Sequence, residues 1–141
     1  MPDVIALIER EHRQVEALFQ NFRETGNSAL VSNICDELDA HAAAEEEAFY
    51  PVVRDDVPSG KKLASEAKEE HGEARQLIGR IRRTSDPDHV VELVSELEQV
   101  VSHHVDEEEQ EMLPSARRSL GEDRLAVIGS AYESAKAKVQ G

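Results

Sequence analysis

Two short stretches of this chain repeat one pattern of chemically capable residues. The first reads HAAAEEEAFYP, with His41, Glu45 and Pro51, and the second reads HVDEEEQEMLP, with His104, Glu108 and Pro114. Both are His-x3-Glu-x5-Pro. Two further histidines, His12 and His71, each follow a glutamate, Glu11 and Glu70. A histidine and a glutamate four residues apart stand one turn apart on a helix and point the same way. Each stretch therefore offers an imidazole nitrogen and a carboxylate oxygen to one place. These donors suit a transition-metal ion. No thiolate belongs to the set, which argues against an iron–sulfur cluster or a cysteine-type zinc site and leaves iron or manganese.

The elements that must position these groups emerge from the punctuation of the sequence. Breaks at Gly26-Asn27-Ser28, Asp55 to Gly60, Thr84 to Asp88 and near Gly121 leave four long segments and a shorter tail. Asp3, Ser28, Ser59 and Ser85 or Asp86 are placed to cap the helix starts, and Pro87 suits a first turn. Helical spacing gives the first segment an inward stripe of Ile5, Ile8, His12, Val15, Phe19 and Phe22. The second stripe runs Ile34, Leu38, His41, Glu45, Ala48 and Val52, and ends its helix at Pro51. The third is Ala64, Ala67, His71, Ala74, Ile78 and Ile81; the fourth is Val90, Val94, Leu97, Val101, His104, Glu108 and Met112. Each stripe carries its polar residues near mid-length. Short connections force an all-α, up-down-up-down four-helix bundle over about residues 3–119. A fifth, shorter helix over about 122–139, with the stripe Leu125, Ile128, Tyr132, Ala135 and Val139, lies against it and shows no evident chemistry.

The first and third segments match as the second and fourth do: Glu11-His12 followed by Leu18, Phe19 and Phe22 parallels Glu70-His71 followed by Leu77, Ile78 and Ile81. The chain reads as two copies of one helical hairpin within a single domain, residues 1–141, and a two-fold relation between them predicts a site with two equivalent halves. Burying two carboxylates and four imidazoles without partners would cost several kcal/mol per charged group, more than a small domain can bear. A metal pair on His12, His41, Glu45, His71, His104 and Glu108 resolves that cost, with Glu45 and Glu108 as the bridges. His103 points about 100° away from His104 and reads, with His89, as a surface or supporting residue. The runs Glu45 to Glu47 and Glu107 to Glu109 each have one inward member, the rest forming a solvated face.

Composition narrows the partners. Acidic residues number 30 against 16 basic, for a net charge of −14, and no basic run resembles a phosphate-binding footprint; no nucleic-acid partner is expected. No window is apolar for long enough to span a membrane, and the N-terminus lacks the regions of a signal peptide, so the expected location is cytoplasmic. The single cysteine, Cys35, cannot form an internal disulfide and reads as packing.

The order His, His-x3-Glu, His, His-x3-Glu on successive helices resembles the hemerythrin or HHE cation-binding family over roughly residues 3–119. The resemblance implies a di-iron centre, usually with an oxo or hydroxo bridge. It also marks two departures from the oxygen-carrying members: Arg75 stands where they have a second histidine on the third helix, and Glu108 replaces their more distantly spaced aspartate. The chain resembles the four-histidine, two-glutamate branch, which includes actinobacterial hemerythrin-like proteins.

With four protein donors per iron, both ions keep free positions, which weakens a pure carrier reading and favours catalase-like peroxide turnover in oxidative-stress defence. The alternative is reversible binding or sensing of oxygen or nitric oxide, or iron storage and delivery for cluster repair. The partners expected are a small diatomic or peroxide ligand and an unidentified reductant. Three neighbours could tune the site: Glu16 and Arg75, at equal offsets after His12 and His71, and Tyr50, whose phenol could donate to or ligate iron.

Overall fold

The computed structural model describes residues 2–141, and among them the chain is helical with no strand. Seven α-helices, α1 (Val4–Thr25), α2 (Ala29–Ala44), α3 (Tyr50–Asp56), α4 (Gly60–Arg83), α5 (Pro87–Glu107), α6 (Leu113–Leu120) and α7 (Glu122–Gln140), make five rods. A π-helical turn at Glu45–Phe49 welds α2 to α3, and another at Glu108–Met112 welds α5 to α6. The links at residues 26–28, 57–59 and 84–86 are too short for anything but antiparallel neighbours. Thus α1 packs on α2, α4 on α5, and α7 on α1 and α2. Among the described residues no helix is long and apolar enough to cross a membrane.

The duplicated prolines explain the duplicated π turns. Pro51 and Pro114 have no N–H, and each ring crowds the carbonyl four residues back. Widening the turn relieves the clash: the residues just before the prolines, Tyr50 and Leu113, donate their N–H groups five residues back to the carbonyls of Glu45 and Glu108. The helix therefore continues past Pro51 instead of ending there. The extra residue rotates the remainder of the rod by about a third of a turn. Ala48 and Val52, expected inside, are only half-buried, and Phe49, Tyr50 and Val53 face the core.

The caps rely on carboxylates more than on serines. Asp3 accepts from Ala6 N at 2.8 Å and Asp86 from Asp88 N at 3.1 Å. Ser28 and Ser59 make no side-chain cap; Asn27 Oδ1 accepts from Ala29 N at 3.0 Å, and Ser59 takes a left-handed conformation, φ 59°. Asp86, not Ser85, caps α5.

Buried apolar side chains form two groups. One holds Ile5, Ile8, Phe49, Val53, Met112, Leu125 and Tyr132 among others; the other holds Val15, Phe19, Ile34, Ile78, Leu97 and Val101. Along every one of the first four rods the polar residues sit where one group gives way to the other. A layer of histidines and glutamates thus divides the core.

Candidate metal centre

All six side chains picked out by their spacing are buried in that dividing layer: His12, His41, Glu45, His71, His104 and Glu108, each at most 8 % exposed. They come together as two groups able to hold an ion. His12, His41, Glu45 and Glu108 each bring one donor atom within 4.8 Å of the others, and Glu45, His71 and His104 do the same. A first-row divalent ion sits about 2.0–2.2 Å from nitrogen and oxygen donors, so opposed donors stand up to roughly 4.4 Å apart, and both groups are within reach of that geometry.

The first half has the stronger requirement for an ion. His12 Nε2, His41 Nε2, Glu45 Oε2 and Glu108 Oε1 are buried without a hydrogen-bond partner. His12 Nε2 lies 3.0 Å from Glu108 Oε1, near enough for attraction but not aligned as a hydrogen bond. A buried polar atom left unpaired costs roughly 1–3 kcal/mol, and four in one place rival the whole stability of a domain. A cation coordinated by these lone pairs removes that cost.

In the second half a phenol lies among the donors. Tyr50 donates its O–H toward Glu108 Oε2 at 2.6 Å and stands 3.0 Å from Glu45 Oε1, 3.2 Å from His71 Nε2 and 3.3 Å from His104 Nε2. Burial, with Glu108 and Glu45 beside it, pushes the Tyr50 phenol well above its usual value, so it keeps its proton.

Every histidine of the layer is held from behind by a carboxylate. His12 Nδ1 is 2.6 Å from Glu109 Oε2, His41 Nδ1 2.8 Å from Glu11 Oε1, His71 Nδ1 2.6 Å from Glu46 Oε2, and His104 Nδ1 2.6 Å from Glu70 Oε1. Carboxylates in this position set the tautomer and angle of a metal-binding imidazole and leave Nε2 free to face the ion. The arrangement is itself duplicated: the glutamate before each α1 or α4 histidine holds the histidine of the next rod, and the glutamate after Glu45 or Glu108 holds the histidine of α4 or α1. Glu46 and Glu109 are accordingly half-buried and belong to the site instead of the solvated face expected for them. The Glu-His and Glu-Glu doublets at matched offsets are the sequence signal for all four.

The remaining expectations divide. Glu16 turns outward, its side chain 52 % exposed against Arg13, and takes no part. Arg75 binds Glu46 Oε2 at 2.9 Å and borders the cavity beside the histidines without approaching the donor groups as a ligand. His103 is exposed, 2.9 Å from Glu107. The tail helix, expected to carry no chemistry, supplies Tyr132 and Lys136 to Glu11: spacing alone makes Tyr132 a core residue, because its hydroxyl has no partner within its own helix. Val139, the end of the tail stripe, is 50 % exposed. The two halves are consequently not equivalent.

Charge inside the layer is balanced by protons. Burial works against ionisation of Glu45, but the His41 charge and hydrogen bonds from His104, His41 and His71 outweigh it and hold the carboxyl well below the usual range. Burial likewise opposes protonation of His41, and Glu45 and Glu11 override it, raising His41 to about 10. A metal must displace such protons from the imidazoles, so its binding strengthens as pH rises. A cavity of about 40 Å³ adjoins the histidines, lined by Val15, Ala42, Ala74, Ile78, Val101 and Val105 on its apolar side.

Comparison with known proteins agrees with this geometry. The chain is 27 % identical over 139 residues to a DNA nickase of Nostoc sp., covering 95 % of this chain and 39 % of that protein. It is 23 % identical over 135 residues to an uncharacterised hemerythrin-like protein of Schizosaccharomyces pombe, covering 92 % of this chain and 66 % of the other. The chain thus spans less than two thirds of either relative. No solved structure matches it significantly. The model of the hemerythrin HHE cation binding domain matches residues 3–116, taking in the first three rods, the fourth as far as Ala116 and the whole histidine–glutamate layer, and the chain belongs to that family.

Proposed function

We propose that this chain is a non-haem di-iron protein that consumes peroxide. His12, His41, Glu45 and Glu108 would hold one ion, and His71 and His104 the other, with Glu45 and Glu108 serving both. When bound, the metal pair supplies two-electron redox chemistry, reducing one hydrogen peroxide to water and oxidising a second to oxygen.

The observation that carries this reading is that neither half brings more than two histidines, because Arg75 turns to Glu46 and adds no donor to its half. Both ions would keep positions for a small ligand, an arrangement suited to turnover more than to confining oxygen at one ion. The protein's own groups do the rest. Glu109, Glu11, Glu46 and Glu70 orient the imidazoles, Tyr50 holds a proton on its hydroxyl beside Glu108, and the valine and isoleucine side chains keep bulk water out. The cavity has space for a molecule of a few heavy atoms.

A second reading is favoured by the same cavity. Its lining is largely apolar, which suits oxygen or nitric oxide and supports reversible binding. The activity named for the Nostoc relative is not carried over: this chain spans 39 % of that protein, and a net charge of −14 opposes a nucleic-acid backbone.

Anaerobic loading with ferrous iron, followed by peroxide at an oxygen electrode, tests the proposal. Evolution of oxygen over many equivalents per site is expected. Evolution that stops after about one equivalent defeats the enzymatic reading, and a stable adduct formed when the reduced protein is exposed to oxygen, and released under vacuum, would establish the carrier instead.

A further inference from the structure

We propose that α7 acts on one half of the centre and not on its twin: Tyr132 and Lys136 clamp Glu11, and the clamped carboxylate fixes the His41 ring. The inference rests on the metal-centre reading above and adds an element that the family match, ending at residue 116, does not include.

Both oxygens of Glu11 are engaged. Tyr132, wholly buried, donates its hydroxyl to Oε1 at 2.5 Å, and Lys136 Nζ donates to Oε2 at 2.8 Å while also binding Glu37 of α2 at 2.6 Å. His41 Nδ1 lies 2.8 Å from the same Oε1 and 2.9 Å from the Tyr132 hydroxyl. Close docking of α7 makes this reach possible. Gly129, one turn before Tyr132, sits so near the chain start that a Cβ there would come within 2.7 Å of the Pro2 carbonyl.

The two-fold counterpart of Glu11 is Glu70, and its surroundings differ. Glu70 Oε1 holds His104, while Oε2 is 3.7 Å from His103, whose side chain is 67 % exposed, with Glu107 close by; among the described residues no lysine or tyrosine binds this carboxylate. Among the described residues no helix covers this carboxylate as α7 covers Glu11. A carboxylate gripped at both oxygens by hydrogen-bond donors has one orientation and imposes it on its imidazole; one gripped firmly at a single oxygen can rock. Tyr132 and Lys136 are therefore positioning residues, acting on the ion through Glu11 and His41, and they make the first position the tighter of the two.

Anaerobic cobalt(II) titration, followed by its visible bands, tests the clamp in the full chain. His41→Ala and His104→Ala assign the binding steps to the two halves. Tyr132→Phe and Lys136→Met should each weaken the His41 step by roughly tenfold to a hundredfold, the usual effect of losing such a support, and leave the His104 step within about twofold. On a Glu11→Gln background, adding Tyr132→Phe should change little further. Equal weakening of both steps, or of neither, overturns the proposal.

A readout without metal separates this proposal from its foundation. In side-chain nitrogen–proton NMR spectra of the metal-free protein, the His41 ring signals should shift or broaden in Tyr132→Phe and Lys136→Met, with those of His104 unchanged. Unperturbed His41 signals overturn the clamp. A wild-type chain that binds no cobalt overturns the metal centre, and the imidazole spectra still decide the clamp.

Discussion

The half of the layer around His12 and His41 and the half around His71 and His104 descend from one repeated hairpin, yet they meet different surroundings. In the first, four buried donor atoms have no hydrogen-bond partner, and α7 lies over the supporting Glu11. In the second, the Tyr50 phenol lies among Glu45, Glu108, His71 and His104, and the supporting Glu70 opens toward exposed His103. The repeat supplies like donors twice. The breaks in the repeat make the halves unlike: the residue before Pro114 is Leu113, where Tyr50 precedes Pro51, and α7 has no counterpart among the described residues. Alike donor sets thus meet unlike outer contacts, and inequivalence is the expected result for ions bound there.

The largest blow to this comparison comes from the residue both halves share. Glu45 Oε1 is 3.1 Å from both His41 Nε2 and His71 Nε2. Glu45→Ala should take metal content from the two ions per chain proposed above to nearly none, measured by elemental analysis, whereas His12→Ala should spare about one. Retention of two ions in Glu45→Ala would show that the halves do not share that carboxylate.

Removing metal from the intact protein should come next in size. An ion present at about a thousandfold over its dissociation constant stabilises the fold by roughly 4 kcal/mol, or on the order of 10–20 °C in Tm for a domain of this size. Calorimetry before and after chelation checks this. Because the unpartnered atoms belong to His12, His41, Glu45 and Glu108 and none to His71, metal-free protein should show faster amide exchange in α1 and α2 around those residues than in α4.

Tyr50→Phe sharpens the contrast from the other side. Loss of the hydroxyl removes the donor to Glu108 and Glu45, so metal-free stability should fall by about 1–3 kcal/mol in urea titrations, and oxygen evolution by the iron-loaded protein should drop about tenfold or more. If Tyr50 also ligates iron, a visible charge-transfer band of the oxidised protein disappears with it.

The smallest effect serves as a control away from both halves. Burial, partly offset by Arg82, raises Cys35 from 9.0 to about 11. The native thiol should resist alkylation at pH 8 with or without metal. Between 9.0 and about 11 the unfolded chain releases this proton and the folded chain does not, so its contribution to stability falls as pH rises through that window. Urea titrations of wild type and Cys35→Ala across the window measure the difference.

Much of the site could be read from residue order because helical spacing converts sequence distance into direction. His41 and Glu45 had to point together, and the matching offsets of His104 and Glu108 required a second instance. The inward turn of Tyr50 was less accessible, since it depends on the π turn rotating α3 after Glu45. A stripe counted at α-helical spacing carries Ala48 and Val52 inward and misses that rotation. The four supporting glutamates were written in the doublets at Glu11, Glu46, Glu70 and Glu109, but their partners lie on other rods, at separations of 25 to 97 residues.

By itself the sequence determined the helices, the repeat and the donor set, because each depends on intervals of three, four or seven residues along one chain direction. Tertiary structure decided which carboxylate stands behind which imidazole, that Tyr50 enters the second half, and that Tyr132 and Lys136 reach Glu11. Those outcomes depend on the packing of one rod against another and on a local change of helical pitch, and no periodicity within a single segment encodes the rotation and depth at which two rods meet.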